Sequence, residues 1–156
     1  MKIVFFGVGA VCSVMATLLD ELSNKSKQKD INFVFVVRNI KKAQGHFFKN
    51  SNILNKSDFL EIKHFEEIFE DSKKYEKYLQ NSDIFINSST PSFNLPIMNL
   101  ALKYNTNYAD LASDIYKDEI ISTLKFDQQN LENEFKYKNL FALINLGISP
   151  GITNFL

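Results

Sequence analysis

The stretch KIVFFGVGAVCSVMATLLDEL, residues 2–22, decides the fold class. Its first five residues, KIVFF (2–6), are a short run of bulky apolar side chains that stops at Gly7, the pattern of a strand buried on both faces of a parallel sheet. From Ala10 to Leu22 the apolar residues Val11, Val14, Met15, Leu18, Leu19 and Leu22 recur at helical spacing, which predicts a helix with that stripe turned inward. Between the two, GVGAVC (7–12) is a Gly-x-Gly-x-x-Gly pattern with cysteine in the third glycine position. Strand, glycine turn and helix, in that order, open a βαβ unit.

The rest of the chain continues the alternation. INFVFVV (31–37), FLEI (59–62), DIFIN (83–87), NYADL (107–111) and LFALINL (140–146) read as strands two to six, the third being the weakest. One helix is expected from Ile40 to Phe48, and KKYEKYL (73–79) sets Tyr75, Tyr78 and Leu79 on one helical face. NLPIMNLALKYN (94–105) has Asn94 where an N-cap belongs and Pro96 in the first turn. One or two helices cover 115–138, with Ile120, Leu124, Leu131 and Phe135 inward. Strands alternating with helices call for right-handed crossovers and a sheet covered on both faces. The expectation is a single α/β domain over 1–156: a doubly wound parallel sheet of about six strands, Rossmann-like. Ligands of such sheets bind at the carboxyl ends of the strands, near the point where strand order reverses. Those ends are Phe6–Gly9, Val37–Asn39, Asn87–Pro91, Tyr108–Ala112 and Leu146–Gly151.

Composition narrows the function. The 18 basic and 18 acidic residues cancel, so no overall field favours nucleic acid. A single cysteine, Cys12, excludes an internal disulfide, and with only His46 and His64 besides there is no metal-ligand set; a reducing cytoplasm fits best. The uncharged run Ile3–Leu19 raises the question of a membrane segment, but Gly7 and Gly9 break it and its length is at the short limit of about 17–25 residues for a spanning helix. A soluble protein with no membrane partner is the better reading.

Gly7 permits the tight turn, and Gly9 lets backbone approach a pyrophosphate seated on the helix N-terminus, where free N–H groups and the dipole favour anions. The alternative is a turn that merely joins strand to helix. Cys12 takes a position that serves close packing, and packing is a better reading for it than redox or nucleophilic chemistry, since no histidine or second cysteine is near in sequence. An acid about 20 residues past the glycines usually binds the ribose of NAD. That region here is VVRNIKK (36–42), with no carboxylate, and Arg38 is the chain's only arginine. Its guanidinium suits a 2′-phosphate, with Lys41 and Lys42 adding charge, so NADP is favoured over NAD unless the loop is simply solvated.

Taken together, GVGAVCSVMA (7–16), VVRNIKKA (36–43), DIFINSSTPSFNLPIMNLAL (83–102), NYADLAS (107–113) and GISPGITN (147–154) resemble the NADP-binding domain of the saccharopine dehydrogenase-like family in order and approximate spacing. The resemblance covers 1–156, loosely over 45–80. It implies an NAD(P)-dependent oxidoreductase acting on an amino-acid-derived imine or secondary amine, of the saccharopine, carboxynorspermidine or lysine dehydrogenase type, in amino-acid metabolism. It places Gly7, Gly9, Ala10, Val11 and the Cys12 position around the pyrophosphate and Arg38 at the adenosine phosphate. Ser88, Ser89, Thr90 and Pro91 then line the loop beside the cofactor, and Tyr108 and Asp110 approach the nicotinamide and a small-molecule substrate. The departures are Cys12 for glycine and Val37 where a small or polar residue is common. Asp110 also has a plainer reading, as the cap of the turn that follows.

In the resembled family the chain runs on from this last turn into a second domain that supplies substrate contacts and a homodimer interface. Gly147, Pro150, Gly151 and Asn154 would mark that exit, so the second domain is absent and the 156 residues read as an N-terminal fragment, inactive alone. Ile148, Ile152, Phe155 and Leu156 are then expected to be partly uncovered and to favour self-association. The competing reading is a non-catalytic, degenerate Rossmann module with an interaction or regulatory role. A methyltransferase is disfavoured by the missing acid after strand two.

Overall fold

A computed structural model describes residues 1–26, 30–47, 50–112 and 123–147. Six strands form one parallel sheet in the order β3-β2-β1-β4-β5-β6: β1 Lys2–Phe6, β2 Asn32–Val37, β3 Ser57–Glu61, β4 Ile84–Asn87, β5 Asn107–Asp110 and β6 Ala142–Leu143. The doubly wound Rossmann-like α/β fold expected from the sequence is thus present. β1 is paired on one side with β2 and on the other with β4, so the connections leave it in opposite directions and a crevice opens above its carboxyl end.

Alternate residues of β1 serve two cores. Ile3 and Phe5 join the layer beneath helices α1 (Ala10–Ser26), α2 (Ile40–Gly45) and α3 (Ser51–Asn55). Val4 and Phe6 join the layer that packs against α4 (Glu66–Glu70), α5 (Glu76–Leu79), α6 (Asn94–Lys103) and α8 (Glu132–Tyr137). Helix α7 (Thr123–Asn130) lies between α6 and α8 in the chain and contacts both.

Helix α1 is rotated from the expectation, so that only Met15 and Leu19 of the predicted stripe pack against the core. Its buried residues are Cys12, Ala16, Asp20 and Ser23, whereas Val11, Val14, Leu18 and Leu22 are 59%, 57%, 51% and 61% exposed and Met15 and Leu19 are half-buried. The reason lies in the strands. Phe5, Phe33 and Phe35 stack across β1 and β2 with centroids 5.6–6.2 Å apart, and Phe47 and Phe59 close on Phe35 at 5.0 and 5.2 Å. The sheet supplies the bulk, so the helix fits above it through small side chains. Buried Asp20 is held by Lys56 at 3.3 Å, tying α1 to the end of α3.

Other boundaries shift for local reasons. β3 begins at Ser57 rather than Phe59, because pairing with β2 carries an edge strand past its apolar residues. β6 pairs over two residues only: Asn145 takes φ +61°, its N–H donates to Asp110 Oδ1 at 2.8 Å, and the Leu146 N–H donates to the Asp110 carbonyl at 2.9 Å. Helices α3 and α4 were not foreseen; α3 is capped by Asn50 Oδ1, which accepts from the Ile53 N–H. Asn94 is not a cap, since a 3₁₀ turn over Pro91–Phe93 runs directly into α6 and Asn94 is its first residue. Phe135 is buried and Leu131 packs partly beneath it as expected, while Ile120 lies outside the described residues, as do Ile148, Pro150, Gly151, Ile152, Asn154, Phe155 and Leu156.

The rotated helix gives a direct test. Ala16→Leu should cost about 1–3 kcal/mol through overpacking, while Leu18→Ser should stay within about 0.5 kcal/mol of the parent, both read from urea midpoints. A large loss in Leu18→Ser would mean that the stripe is covered.

Candidate nucleotide-binding site

The crevice above β1 is a cleft of about 470 Å³ lined by Gly7, Val8, Gly9, Val37, Arg38, Asn39, Lys42, Ala43, Phe65, Ser88, Ser89 and Thr90. It gathers the ends of β1, β2 and β4 in one place.

Gly7 closes β1. Its N–H donates to the Val36 carbonyl at 2.9 Å and its φ is +93°, which L side chains rarely adopt. A Cβ there would stand 2.8 Å from Ser89 Cβ, so the first turn and the β4 loop are in direct contact. Gly9 is different: a Cβ on it would meet nothing within 4 Å, so its bare backbone faces open space. The Gly9 carbonyl accepts the first bond of α1, from the Ser13 N–H at 3.0 Å, which leaves the N–H groups of residues 10–12 without partners inside the helix. Ala10 and Val11 are exposed beside that opening.

Cys12 lies under the turn, 1% exposed. Burial pushes its thiol up to about 12, against a hydrogen bond with Ser88, so it is a neutral packing group and no thiolate.

The β4 loop is built on Asn87. This buried amide accepts from the Ser89 N–H at 3.0 Å and from the Ser89 hydroxyl at 2.6 Å, and donates to the Thr90 carbonyl at 3.1 Å and to Asn94 Oδ1 at 2.6 Å. Ser88 completes the link to the first turn, its hydroxyl donating to the Gly7 carbonyl at 2.8 Å. Thr90 is exposed at the cleft wall and Pro91 is half-buried in the 3₁₀ turn behind it. Asn87 ends β4, as the sequence predicts, and its further role in the loop has a local signal, since an Asn followed by SST marks an Asx-turn.

On the other side of the cleft, Arg38 and Lys42 are exposed, and among the described residues neither joins an ion pair. Asn39 Oδ1 caps α2 by accepting from the Lys42 N–H at 2.8 Å. Phe65, from the segment after β3, forms the floor here and packs against Phe93 at 5.1 Å. It was not anticipated, because the order of the sheet, not the sequence, brings it to the cleft.

Tyr108 and Asp110 do not line the cleft. Both are buried, 0% and 1% exposed, with Tyr108 in the core against α6 and its hydroxyl donating to Asp110 Oδ2 at 3.0 Å. Gln128 Nε2 donates to the same oxygen at 2.6 Å and the Asn145 N–H to Oδ1 at 2.8 Å. In this arrangement Asp110 holds the segment after β6, 35 residues further on, and not the turn that directly follows it. Burial raises its carboxyl above the ordinary range, opposed by the bonds from Asn145, Gln128 and Tyr108. Burial and the neighbouring Asp110 raise the Tyr108 phenol as well. Among the described residues no group of three His, Cys, Asp or Glu could hold a metal ion, and no helix is long and apolar enough to cross a membrane.

A parallel sheet with an open glycine turn, a free helix start and a basic strand end around one crevice is the construction of a dinucleotide-binding domain. The chain belongs to the saccharopine dehydrogenase NADP binding domain family, whose model matches residues 3–143. That family supplies the NAD(P)-binding domain of oxidoreductases. Among solved structures the fold is similar to saccharopine dehydrogenase (L-Glu forming) from Saccharomyces cerevisiae, at 19% identity and TM-score 0.66, over 97% of this chain and 28% of that one. It is also similar to homospermidine synthase from Legionella pneumophila in complex with NAD, at 16% identity and TM-score 0.66, over 97% and 30%. Shikimate dehydrogenase from Mycobacterium tuberculosis follows at 12% identity and TM-score 0.56, over 93% and 46%. This chain therefore spans under half the length of each of these proteins. No curated protein sequence matches it.

Two tests follow from the geometry. Gly7→Ala should destabilise by about 2 kcal/mol or more, through a strained φ and the Ser89 contact, while Gly9→Ala should remain within about 0.5 kcal/mol; thermal unfolding separates them. Asp110 gives a pH dependence. Its folded state holds the proton more tightly than the unfolded chain, so stability should fall as pH rises from about 4, the ordinary Asp range, through the raised value. Asp110→Asn should remove that fall, the Gln128 amide turning over to present its oxygen. Parallel pH profiles for the two proteins would exclude the assignment.

Proposed function

We propose that this chain is the NADP-binding domain of a dehydrogenase acting on an imine or secondary amine derived from an amino acid, and that it binds cofactor without turning over by itself. The observation that carries the cofactor reading is the cleft itself: Gly9 backbone facing open space, an uncovered α1 start, and the cations Arg38 and Lys42, without an ion pair among the described residues, on the opposite wall. The residues present fit a dinucleotide. Gly7, Gly9 and the 10–12 N–H groups would hold the pyrophosphate, Arg38 and Lys42 a 2′-phosphate, and Ser88, Ser89 and Thr90 the side of the cleft toward β4. Bound there, NADPH would supply the hydride for imine reduction, and NADP+ would accept it in the reverse direction.

The imine substrate rests on membership of the family, and the residues that choose it would belong to the remainder of a longer enzyme, of which this domain matches 28% of saccharopine dehydrogenase and 30% of homospermidine synthase. Tyr108 and Asp110 act in this reading from behind the site, by fixing the segment after β6, and carry no proton-transfer step. A homodimer and a cytoplasmic location belong to the same proposal.

Calorimetric titration of NADPH and NADH decides it. NADPH should bind more tightly, and Arg38→Ala should weaken it about 10- to 100-fold, the value of a lost charge-assisted contact, with NADH little changed. Absence of heat from either nucleotide at millimolar concentration would sink the proposal.

A further inference from the structure

The end of β2 carries no acid, yet the fold brings one there from the next strand. Glu61 is the last residue of β3, paired in register with Val37, the residue before Arg38. Its Oε1 accepts a hydrogen bond from the Ile40 N–H at 3.0 Å, across 21 residues of sequence. The β2–α2 turn that presents Arg38, Asn39 and Lys42 to the cleft is therefore pinned from the side by a carboxylate. Glu61 is exposed and, among the described residues, joins no ion pair, so its charge is uncompensated by a partner of its own.

We propose that Glu61 is a specificity-determining residue of the cofactor cleft: its charge opposes Arg38 and Lys42 and limits how strongly the site prefers a phosphorylated adenosine ribose over an unphosphorylated one. The inference rests on the nucleotide reading above. A 2′-phosphate brings about two negative charges to the turn whose backbone Glu61 holds, and like charges at such range repel through partly screened solvent. An unphosphorylated ribose brings none. Glu61 thus acts on one cofactor and spares the other, which a merely structural brace would not do.

Glu61→Gln isolates the charge, because the glutamine carbonyl can accept from the same Ile40 N–H. NADPH and NADH are titrated into the parent, Glu61→Gln and Glu134→Gln, the last removing an exposed acid on α8. Glu61→Gln should tighten NADPH about tenfold at low salt, leave NADH within about twofold, and lose most of this difference at 1 M salt, where the screening length is about 3 Å. Glu134→Gln should match the parent with both nucleotides. Equal changes for NADPH and NADH in Glu61→Gln would show a brace and overturn the inference, as would no change. If the parent binds and only the ratio fails to move, the nucleotide reading stands without Glu61's role. If neither parent nor variant binds either nucleotide, both fall.

Discussion

The domain depends on one strand being hydrogen-bonded along both edges while its neighbours leave in opposite directions. β1 gives Ile3 and Phe5 to one core and Val4 and Phe6 to the other, and no residue of it remains for contact with water except at its ends. A strand so enclosed must hand its carboxyl end to a turn, and the divergence of β2 and β4 keeps that turn uncovered. The cleft is a consequence of the sheet's order. The side chains around it only decide what it holds.

Most of this was legible from residue pattern. KIVFF before GVG is readable because a doubly covered strand has no polar face, so apolar run, glycine and helix follow each other without ambiguity. The same uniformity hid the orientation of α1. Periodicity reports that a helix has an apolar stripe, and cannot report that the sheet below already carries the bulk in Phe5, Phe33 and Phe35, leaving Cys12 and Ala16 as the helix's fully buried apolar contacts and Met15 and Leu19 at their margin. The roles of Glu61 and Phe65 were hidden for another reason: Glu61 meets the β2–α2 turn, and Phe65 the cleft, only through the pairing of β3 with β2 in three dimensions.

Four asparagines mark breaks in the chain. Asn81, Asn105, Asn139 and Asn145 adopt φ of +56°, +50°, +55° and +61°, the left-handed turns that glycine fills elsewhere. Asn105 and Asn139 end helices α6 and α8. In a chain with only five glycines, these positions explain where the breaks between helices and strands fall.

The contact between the first turn and the β4 loop also bears on the order in which the protein comes into being. The Ser88 hydroxyl reaches back to the Gly7 carbonyl over 81 residues, and Gly7 is shaped against Ser89. During synthesis the glycine turn leaves the ribosome first, with only local contacts available to it. It cannot take its final form until more than half of the chain has followed, and contacts of such long range form slowly. A nascent chain halted before β4 would hold every glycine of the motif and still have no cleft.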